Sequence, residues 1–276
     1  MLVNLKEILQ IAEDGNFAIP ALNVYNMETV MGVLAAAEEL HSPVIMQGYS
    51  RLFTNGEAYF LAPIVLAAAK AAHVPVCFHI DHGAGYPEAA KAVRYGCTGV
   101  MIDGSAFELD KNIEITKTVC DICNELIIPV EGELGHVGTT KDEQLSEYTN
   151  VDEAVRFVLE TGVSALAVMV GTAHGRYKRA PKLDIERIKA IKDAVKIPLV
   201  LHGGSGVPDE EIKAAIDAGI RKVNFSTDLC YSFIDTIFET SRDKIAIDVF
   251  MKDAVDAVKQ YAASKIRLLG AENNAI

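Results

Sequence analysis

What this sequence lacks excludes several classes of protein. Its 26 lysines and arginines are outnumbered by 38 aspartates and glutamates, which gives a formal net charge of −12. A surface of this kind disfavours nucleic acid and anionic membranes as partners, although the local field of a site can still favour a small anionic substrate. No apolar run reaches the roughly 18–20 residues that a bilayer span requires. We therefore expect no nucleic-acid partner and no membrane partner.

Signals for secretion and for disulfide formation are also missing. The stretch from Met1 to Glu7 is typical of the start of an amphipathic helix rather than of a leader peptide. The five cysteines are odd in number, and the pair Cys120 and Cys123 lies in a helical run without a second pair. Structural thiols in a reducing compartment are therefore expected, and the predicted location is the cytoplasm.

Apolar, strand-like runs alternate with helical segments along the whole chain. Eight β-then-α units follow a short first helix that Asn4 can cap and that ends near Gly15. The predicted strands are 18–24, 44–47, 76–80, 99–103, 127–133, 165–170, 198–202 and 222–225. Continuous apolar strands of this kind are typical of a parallel sheet that helices cover on both sides.

Two further absences decide between the parallel folds. No G-x-G-x-x-G follows the first strand, so nothing indicates an open dinucleotide-binding sheet. No proline- or serine-rich linker divides the 276 residues, and an eight-stranded barrel usually takes about 250 residues. The sequence therefore predicts an α/β protein with one domain over residues 1–276. This domain is a (β/α)8 TIM barrel with a short N-terminal helix and a helical C-terminal extension.

Polar side chains gather where the predicted strands end, which in such barrels is the catalytic rim. Strand 3 ends in Asp81 and His82, His174 follows strand 6, and His202 ends strand 7. A single histidine at such a position is usually an ordinary hydrogen-bonded residue. Three neutral imidazoles on one rim, with a position left open, are what a catalytic Zn2+ requires. We therefore predict His82, His174 and His202 as metal ligands.

Other polar residues accompany the histidines. Asp103, Glu131 and Glu133 are expected to orient the imidazole rings or to act as alternative ligands. His79, inside strand 3, is expected to be a hydrogen-bonded histidine of the barrel interior. Asn23 ends strand 1 on the same rim.

Glycine-rich turns adjoin two of the histidines. Residues 171–175 read GTAHG, and residues 202–206 read HGGSG just before a predicted helix. Strand 8 runs into NFSTD at residues 224–228, at another helix start. Backbone N–H groups after strands 7 and 8 are the usual phosphate cradle of these barrels. The sequence therefore predicts a phosphorylated substrate next to a metal.

Together these motifs resemble the class II, metal-dependent ketose-bisphosphate aldolases of the fructose- and tagatose-bisphosphate type. The resemblance covers nearly the whole chain. Its motifs are PALNV at 20–24, HIDHG at 79–83, VMIDGS at 100–105, EGELG at 131–135, GTAHG at 171–175, LHGGSG at 201–206 and NFSTD at 224–228. The short chain and Ser226, where a longer subgroup carries an acid, look like the tagatose-type branch.

The resemblance implies reversible cleavage of a phosphorylated ketose to dihydroxyacetone phosphate and an aldehyde, glyceraldehyde 3-phosphate, in glycolysis or related carbohydrate metabolism. One Zn2+ per subunit, held by the three histidines, would stabilise an enediolate, since no lysine at a strand end is placed for a Schiff base. Asp81 would move protons at the C4 hydroxyl, and Asn224 would contact the intermediate. The residues implied to bind substrate, phosphate and a monovalent cation (Na+ or K+) are Asn23, Gly175, Gly203, Gly204, Ser205, Thr227 and Asp228. A homodimer or homotetramer is also implied.

One departure from the family pattern concerns proton transfer. Lys141 stands where the family usually carries a loop glutamate that accepts the C3 proton. Asp142, Glu143 or His136 is therefore the expected substitute.

A second departure lies near a phosphate, and the cations for the distal phosphate are a separate question. After strand 2, Tyr49 aligns with a small hydroxyl of the family, and Ser50 follows one residue later. The candidate cations for the distal phosphate are Arg176, Lys178 and Arg267. Arg176 and Lys178 could instead contact a neighbouring subunit or lie in solvent. The alternatives are thus the same aldol chemistry on a different ketose phosphate, or a non-catalytic barrel that binds sugar phosphates.

Overall fold

The computed structural model describes residues 1–139 and 148–275. Eight parallel strands pair in sequence order, and β8 pairs with β1 to close the barrel. The strands are β1 Ile19–Asn23, β2 Val44–Tyr49, β3 Val76–Gly83, β4 Gly99–Ile102, β5 Val130–Leu134, β6 Ala165–Val168, β7 Leu199–Leu201 and β8 Ile220–Phe225. The predicted (β/α)8 fold is confirmed.

Helices cover the outside of the barrel. They are α1 Leu5–Gly15, α2 Met27–Glu39, α3 Ser50–Asn55, α4 Ala58–Ala71, α5 Tyr86–Arg94, α6 Leu109–Glu125, α7 Val151–Thr161, α8 Ile185–Val195, α9 Asp209–Asp217, α10 Thr227–Glu239 and α11 Ile247–Leu268. Nearly every strand residue is buried, because side chains point either into the barrel or towards this helical layer. Among these helices, none is both long and apolar enough to cross a membrane.

The first helix closes the amino-terminal end of the barrel. Asn4 caps α1, since its side-chain oxygen accepts a hydrogen bond from the Glu7 N–H (2.9 Å) and the Glu7 carboxylate accepts one from the Asn4 N–H (2.8 Å). The Val3 N–H donates to the carbonyl of Val76, the first residue of β3 (3.0 Å). The apolar face of α1, with Leu5 fully buried, therefore covers the barrel floor.

The C-terminal extension packs alongside the start of the barrel. Helix α11 lies against α2, and the contact is close because Gly32 has no side chain: a Cβ there would stand 2.7 Å from Val258. After α11 the Leu269 carbonyl accepts a hydrogen bond from the Ala18 N–H (3.2 Å). The end of α11 therefore lies at the amino-terminal end of the barrel, opposite the predicted catalytic rim.

Several strand boundaries differ from the sequence-based expectation, and three of the differences have a local cause. Strand β5 begins at Val130 rather than at 127, because Ile127 has a positive φ of 58° in the turn that follows α6. Strand β3 continues to Gly83 instead of ending at Ile80. The segment after β2 holds the short helix α3, which is separated from α4 by Gly56 with φ 106°. The local backbone conformation determines these three differences, and the spacing of apolar residues in the sequence does not indicate that conformation.

Candidate metal centre and catalytic cavity

Two adjacent side chains, Asp81 and His82, face the same cavity at the end of β3. Successive residues of a regular strand point to opposite faces, so this requires an irregularity. His82 has a positive φ of 53°, and the pairing of β3 with β4 shifts register between Ile80 and Gly83. The bulge turns the His82 ring towards the cavity that Asp81 already faces.

The three predicted metal ligands come together above β3, β6 and β7. The His82 ring lies edge-on to the rings of His174 and His202, with centroid separations of 4.9 Å and 4.7 Å. One nitrogen from each ring falls within 4.8 Å of the others. Around a tetrahedral zinc with Zn–N distances near 2.0–2.1 Å, ligand nitrogens stand about 3.4 Å apart. The spacing fits a metal ion at the centre of the cluster.

Each of the three rings is oriented by one hydrogen-bond acceptor behind it. These contacts join His82 Nδ1 to Asp103 (2.8 Å), His174 Nδ1 to the carbonyl oxygen of Val137 (3.1 Å), and His202 Nε2 to Glu131 (3.0 Å). An acceptor at one nitrogen places the proton there and leaves a lone pair on the other nitrogen. The remaining nitrogens face one another, with His82 Nε2 only 3.0 Å from His202 Nδ1. Two lone pairs at that distance would repel, so either a proton on His82 or a metal ion must lie between the two nitrogens.

The charge around the cluster also favours a cation. Burial lowers the pKa of His82, but Asp81, Asp103 and Glu133 outweigh burial and raise it to about 10. Burial, assisted by the charge on His82, lowers the pKa of His174 to about 4. At neutral pH His82 therefore holds a proton among several carboxyl groups, in a place where a divalent ion would be stabilised more strongly.

Asp103 and Glu133 form a second acidic group with His82, within 4.8 Å of one another. Burial and the neighbouring Asp103 raise the pKa of Glu133 to about 8, and no hydrogen bond from the described residues reaches its Oε2. The His82 nitrogen in this group is Nδ1, which already contacts Asp103. The main role of Asp103 and Glu133 is therefore to orient the His82 ring, and an alternative cation site is their secondary role.

A buried ion pair lies beneath His202. Lys222, inside the barrel on β8, places its ammonium 2.8 Å from Glu131 Oε2, and both side chains are fully buried. Sequence reasoning missed this lysine, although its spacing of two residues from Asn224 places both on one face of the strand. Lys222 balances the charge of the carboxylate that orients His202.

The expectation that His79 is hydrogen-bonded was wrong. Its ring is fully buried, and neither ring nitrogen has a hydrogen-bond partner among the described residues. Glu131 Oε2 lies 3.6 Å from His79 Nε2, but that carboxylate is already engaged by Lys222 and His202. Burial lowers the pKa of His79 to about 3, so the ring is neutral.

Two side-chain amides hold the Asp81 carboxylate. Asn23 donates to Oδ2 (2.9 Å) and Asn224 donates to Oδ1 (3.0 Å). Gln47 in turn donates to the Asn23 side-chain oxygen (2.8 Å), a contact that sequence reasoning missed. Side chains of β1 and β8 therefore hold the Asp81 carboxylate, and Gln47 of β2 holds Asn23.

Asp81, His82 and His174 open onto one cavity of about 480 Å³, and His202 is fully buried beneath it. The sequence-predicted residues that line it are Asn23, Asp81, His82, Asp103, His136, His174, Gly203, Ser205, Asn224 and Thr227. Tyr49, Arg51 and Ser226 also line it, and of these only Arg51 had drawn no attention in the sequence.

The loops after β6 and β7 form a tight wall of this cavity. Gly203 has φ 67°, and a Cβ there would stand 2.5 Å from the Ala173 carbonyl oxygen, so only glycine fits. Tyr177, another residue missed in the sequence, accepts from the Ala173 N–H (2.7 Å) and donates to the Gly203 carbonyl (3.0 Å).

Other residues of the predicted cradle lie next to this wall. Gly175 also has a positive φ of 109°, and the Gly204 N–H donates to the Asn224 carbonyl (3.1 Å). Ser205 accepts from the Asp228 N–H (3.3 Å) at the start of α10. These two N–H groups are bonded within the protein, and the N-terminus of α10 lies beside the same wall.

Several candidates do not reach the cavity. Arg176 is exposed and stacks on Tyr231, 3.5 Å from the ring centre, and Lys178 is exposed on the same loop. Ser50 lies in the first turn of α3, and Arg267 lies at the opposite end of the barrel, 3.6 Å from Glu272. The remaining candidates, Lys141, Asp142 and Glu143, lie outside the described residues.

Comparison with known proteins agrees with this geometry. The family model for class-II fructose-bisphosphate aldolase matches residues 3–274. The chain is 39% identical to the uncharacterized protein YdjI of Escherichia coli K12 over 279 residues, with full coverage of both chains. The crystal structure of the YdjI aldolase superposes with a TM-score of 0.91 at 37% identity, covering 100% of each chain. The fructose-bisphosphate aldolase of Campylobacter jejuni shares the fold, with a TM-score of 0.84 at 24% identity over 99% of this chain and 96% of that one.

Proposed function

Because the chain belongs to the class-II fructose-bisphosphate aldolase family, we propose that it cleaves fructose 1,6-bisphosphate or tagatose 1,6-bisphosphate reversibly. The products are dihydroxyacetone phosphate and glyceraldehyde 3-phosphate. One observation carries the proposal: three histidine nitrogens, each on a ring oriented from behind, converge beside an amide-held Asp81, and two of these histidines line the same cavity as Asp81.

His82, His174 and His202 are the proposed ligands of one Zn2+ per subunit, with Asp103 and Glu133 as orienting groups or secondary ligands. When bound there, the ion supplies Lewis-acid polarisation of the substrate's carbonyl and hydroxyl oxygens. This is the electron sink that carbon–carbon cleavage needs. Among the described residues Lys222 is the only buried lysine, and it is paired with Glu131 and does not line the cavity.

Asp81 is the proposed base. In the cleavage direction it accepts the proton of the C4 hydroxyl as the C3–C4 bond breaks, and in the reverse direction it returns that proton. Its two amide contacts keep the carboxylate in one orientation, and Asn224 is close enough to His202 (3.2 Å) to contact the reacting carbons as well. The wall built from Gly203, Ser205 and Thr227 is the proposed phosphate site.

Further proposals follow from family membership. The remaining residues of the phosphate and monovalent-cation (Na+ or K+) site are Asn23, Gly175, Gly204 and Asp228. We also propose that residues 1–276 fold as one domain, that subunits form a homodimer or homotetramer, and that the enzyme works in cytoplasmic carbohydrate metabolism.

The test is cleavage of both bisphosphates by zinc-loaded protein, with release of dihydroxyacetone phosphate coupled to its reduction by NADH. We expect turnover of at least one of them, and we expect Asp81→Ala to abolish it while zinc content stays near one per subunit. If neither is cleaved at full zinc content, the standard substrate assignment fails. Unchanged activity of the Asp81→Ala variant would refute the role of Asp81.

A second candidate function is the same reaction on a different ketose phosphate. It is favoured by Tyr49, whose large ring lines the cavity where the family has a small hydroxyl. A substrate panel that varies the aldehyde half, assayed in the same way, distinguishes the two candidates.

A further inference from the structure

Arg51 is the only arginine or lysine among the described residues that line the catalytic cavity. It follows β2 in the first turn of α3, across β1 from the phosphate wall on β7 and β8. The Arg51 side chain is exposed, so a ligand that enters the cavity from solvent can reach its guanidinium.

Two tyrosines hold the Arg51 guanidinium in place. It lies 4.8 Å from the ring centre of Tyr49 and 5.7 Å from that of Tyr25. Tyr25 is itself fixed by a 2.8 Å hydrogen bond between its hydroxyl and that of Ser226. Cation–π contacts orient a guanidinium without neutralising its charge, so its N–H groups stay available.

No carboxylate in residues 1–139 or 148–275 lies within ion-pair distance, 4.0 Å, of Arg51. Arg51 is therefore held by stacking on tyrosines and not by a salt bridge. A salt bridge would have neutralised the guanidinium, whereas stacking leaves its positive charge for a ligand. A planar, unneutralised guanidinium matches a phosphate or carboxylate group, which it binds with two parallel hydrogen bonds.

The surroundings of Arg51 indicate which half of the substrate it meets. Tyr49 is the register partner of Asp81 across β2 and β3, and its ring lies 6.0 Å from that of His82. Asp81 is the proposed base for the hydroxyl that comes from the aldehyde. Arg51 therefore stands on the aldehyde side of the reacting carbons, whereas Gly203 and Ser205 stand on the other.

We propose that Arg51, held by Tyr25 and Tyr49, binds an anionic group at the far end of the aldehyde half and so makes the enzyme select anionic aldehydes. The inference rests on the proposed aldolase function and names the substrate class of the same site. Phosphate and carboxylate share the chemistry that a guanidinium recognises, and the experiment separates them.

The experiment compares wild type and Arg51→Met in the condensation direction, with dihydroxyacetone phosphate and three aldehydes. These are glyceraldehyde 3-phosphate, the carboxylate-bearing succinic semialdehyde, and neutral glyceraldehyde. We expect the KM for an anionic aldehyde to rise about tenfold or more, because a charge-assisted contact is lost. The KM and kcat for glyceraldehyde and the KM for dihydroxyacetone phosphate should stay within twofold.

Matched variants sharpen the result. Arg51→Lys keeps the charge but loses the planar fork, so it should recover part of the affinity. Arg94→Met removes an exposed arginine at the end of α5 and should change nothing. A larger effect with glyceraldehyde 3-phosphate than with succinic semialdehyde identifies phosphate as the ligand, and the converse identifies carboxylate. Equal losses with neutral and anionic aldehydes, or a change confined to dihydroxyacetone phosphate, would overturn the proposal.

A binding measurement separates this proposal from the proposed function. Glycerol 3-phosphate, which cannot react, is titrated calorimetrically into zinc-loaded protein saturated with dihydroxyacetone phosphate. Weaker binding by Arg51→Met supports the anion site even if no substrate is turned over, in which case only the aldolase assignment fails. Equal binding by the two proteins overturns the anion site even if the enzyme is an active aldolase.

Discussion

At the scale of single residues, the open question is which group exchanges the second proton, the one at C3. The family resemblance places Lys141 at the sequence position of the expected loop glutamate, whereas His136 lines the cavity just after β5. Its Nδ1 lies 3.1 Å from the Ser105 hydroxyl, which donates to Asp103 (2.6 Å). This chain of contacts ties His136 to the group that orients His82, and we expect His136 to serve as the C3 base.

Hydrogen exchange at C3 of dihydroxyacetone phosphate tests this role directly, because the exchange needs no aldehyde. In D2O, followed by NMR, His136→Gln should slow the exchange at least a hundredfold, which is the usual range for loss of a general base. His73→Gln, a change at an exposed histidine beside Glu38, is the matched control and should exchange at the wild-type rate. Normal exchange by His136→Gln, together with loss in Asp142→Asn or Glu143→Gln, would transfer the role to the loop carboxylates.

At the scale of secondary-structure elements, closure of the barrel floor depends on α1. Its capping box satisfies backbone N–H groups that the first helical turn leaves without partners. The floor lies at the end of the barrel opposite the metal centre. A change in the cap should therefore affect stability and leave catalysis alone.

We expect Asn4→Ala to lower the free energy of unfolding by about 1 kcal/mol, the usual cost of losing an N-cap. Urea unfolding followed by circular dichroism measures this, with Lys6→Ala on the exposed side of α1 as the control that should change stability by less than about 0.5 kcal/mol. The kcat of Asn4→Ala should match wild type at temperatures where both are folded. A loss of kcat without a loss of stability would contradict the separation of floor and rim.

At the scale of the whole molecule, the carboxylates around the rim couple the metal to pH. In the metal-free protein the pKa of His82 is raised from 6.5 to about 10 and that of Glu133 from 4.5 to about 8. Groups whose pKa is raised by folding stabilise the fold when protonated. The contribution of His82 is therefore complete below pH 6.5 and disappears as the pH rises towards 10, and that of Glu133 disappears between pH 4.5 and 8.

Zinc binding at pH 7.5 should therefore release at least one proton, since the ion displaces the proton of His82. Calorimetric titration of metal-free protein in two buffers of different ionisation enthalpy measures the number released. The Tm lost on chelation should be larger at pH 9 than at pH 6, because only the metal-free form loses stability as the pH rises. Zinc binding without proton release would show that His82 is neutral before the metal arrives.

Much of this protein could be predicted from its sequence. Alternating apolar strands and helices predict the barrel, and residues that follow strands, such as His82 and His202, must meet at one rim because parallel strands end on the same side. The family motifs add Asp81 as the expected base, a role that stays a prediction. The barrel and the meeting of the histidines are predictable because they depend on local periodicity and on the order of residues along the chain.

The tertiary structure alone decided the orientation and pairing of these groups. Glu131 binds Nε2 of His202 and so leaves Nδ1 to face His82. Lys222, which is 91 positions from Glu131 in the sequence, holds that carboxylate in place. Likewise, Arg51 became a candidate anion receptor only when it was found stacked on Tyr25 and Tyr49 without a carboxylate near it in the described structure. Such contacts are set by the register in which the eight strands close, and a residue's type or its sequence neighbours do not reveal them.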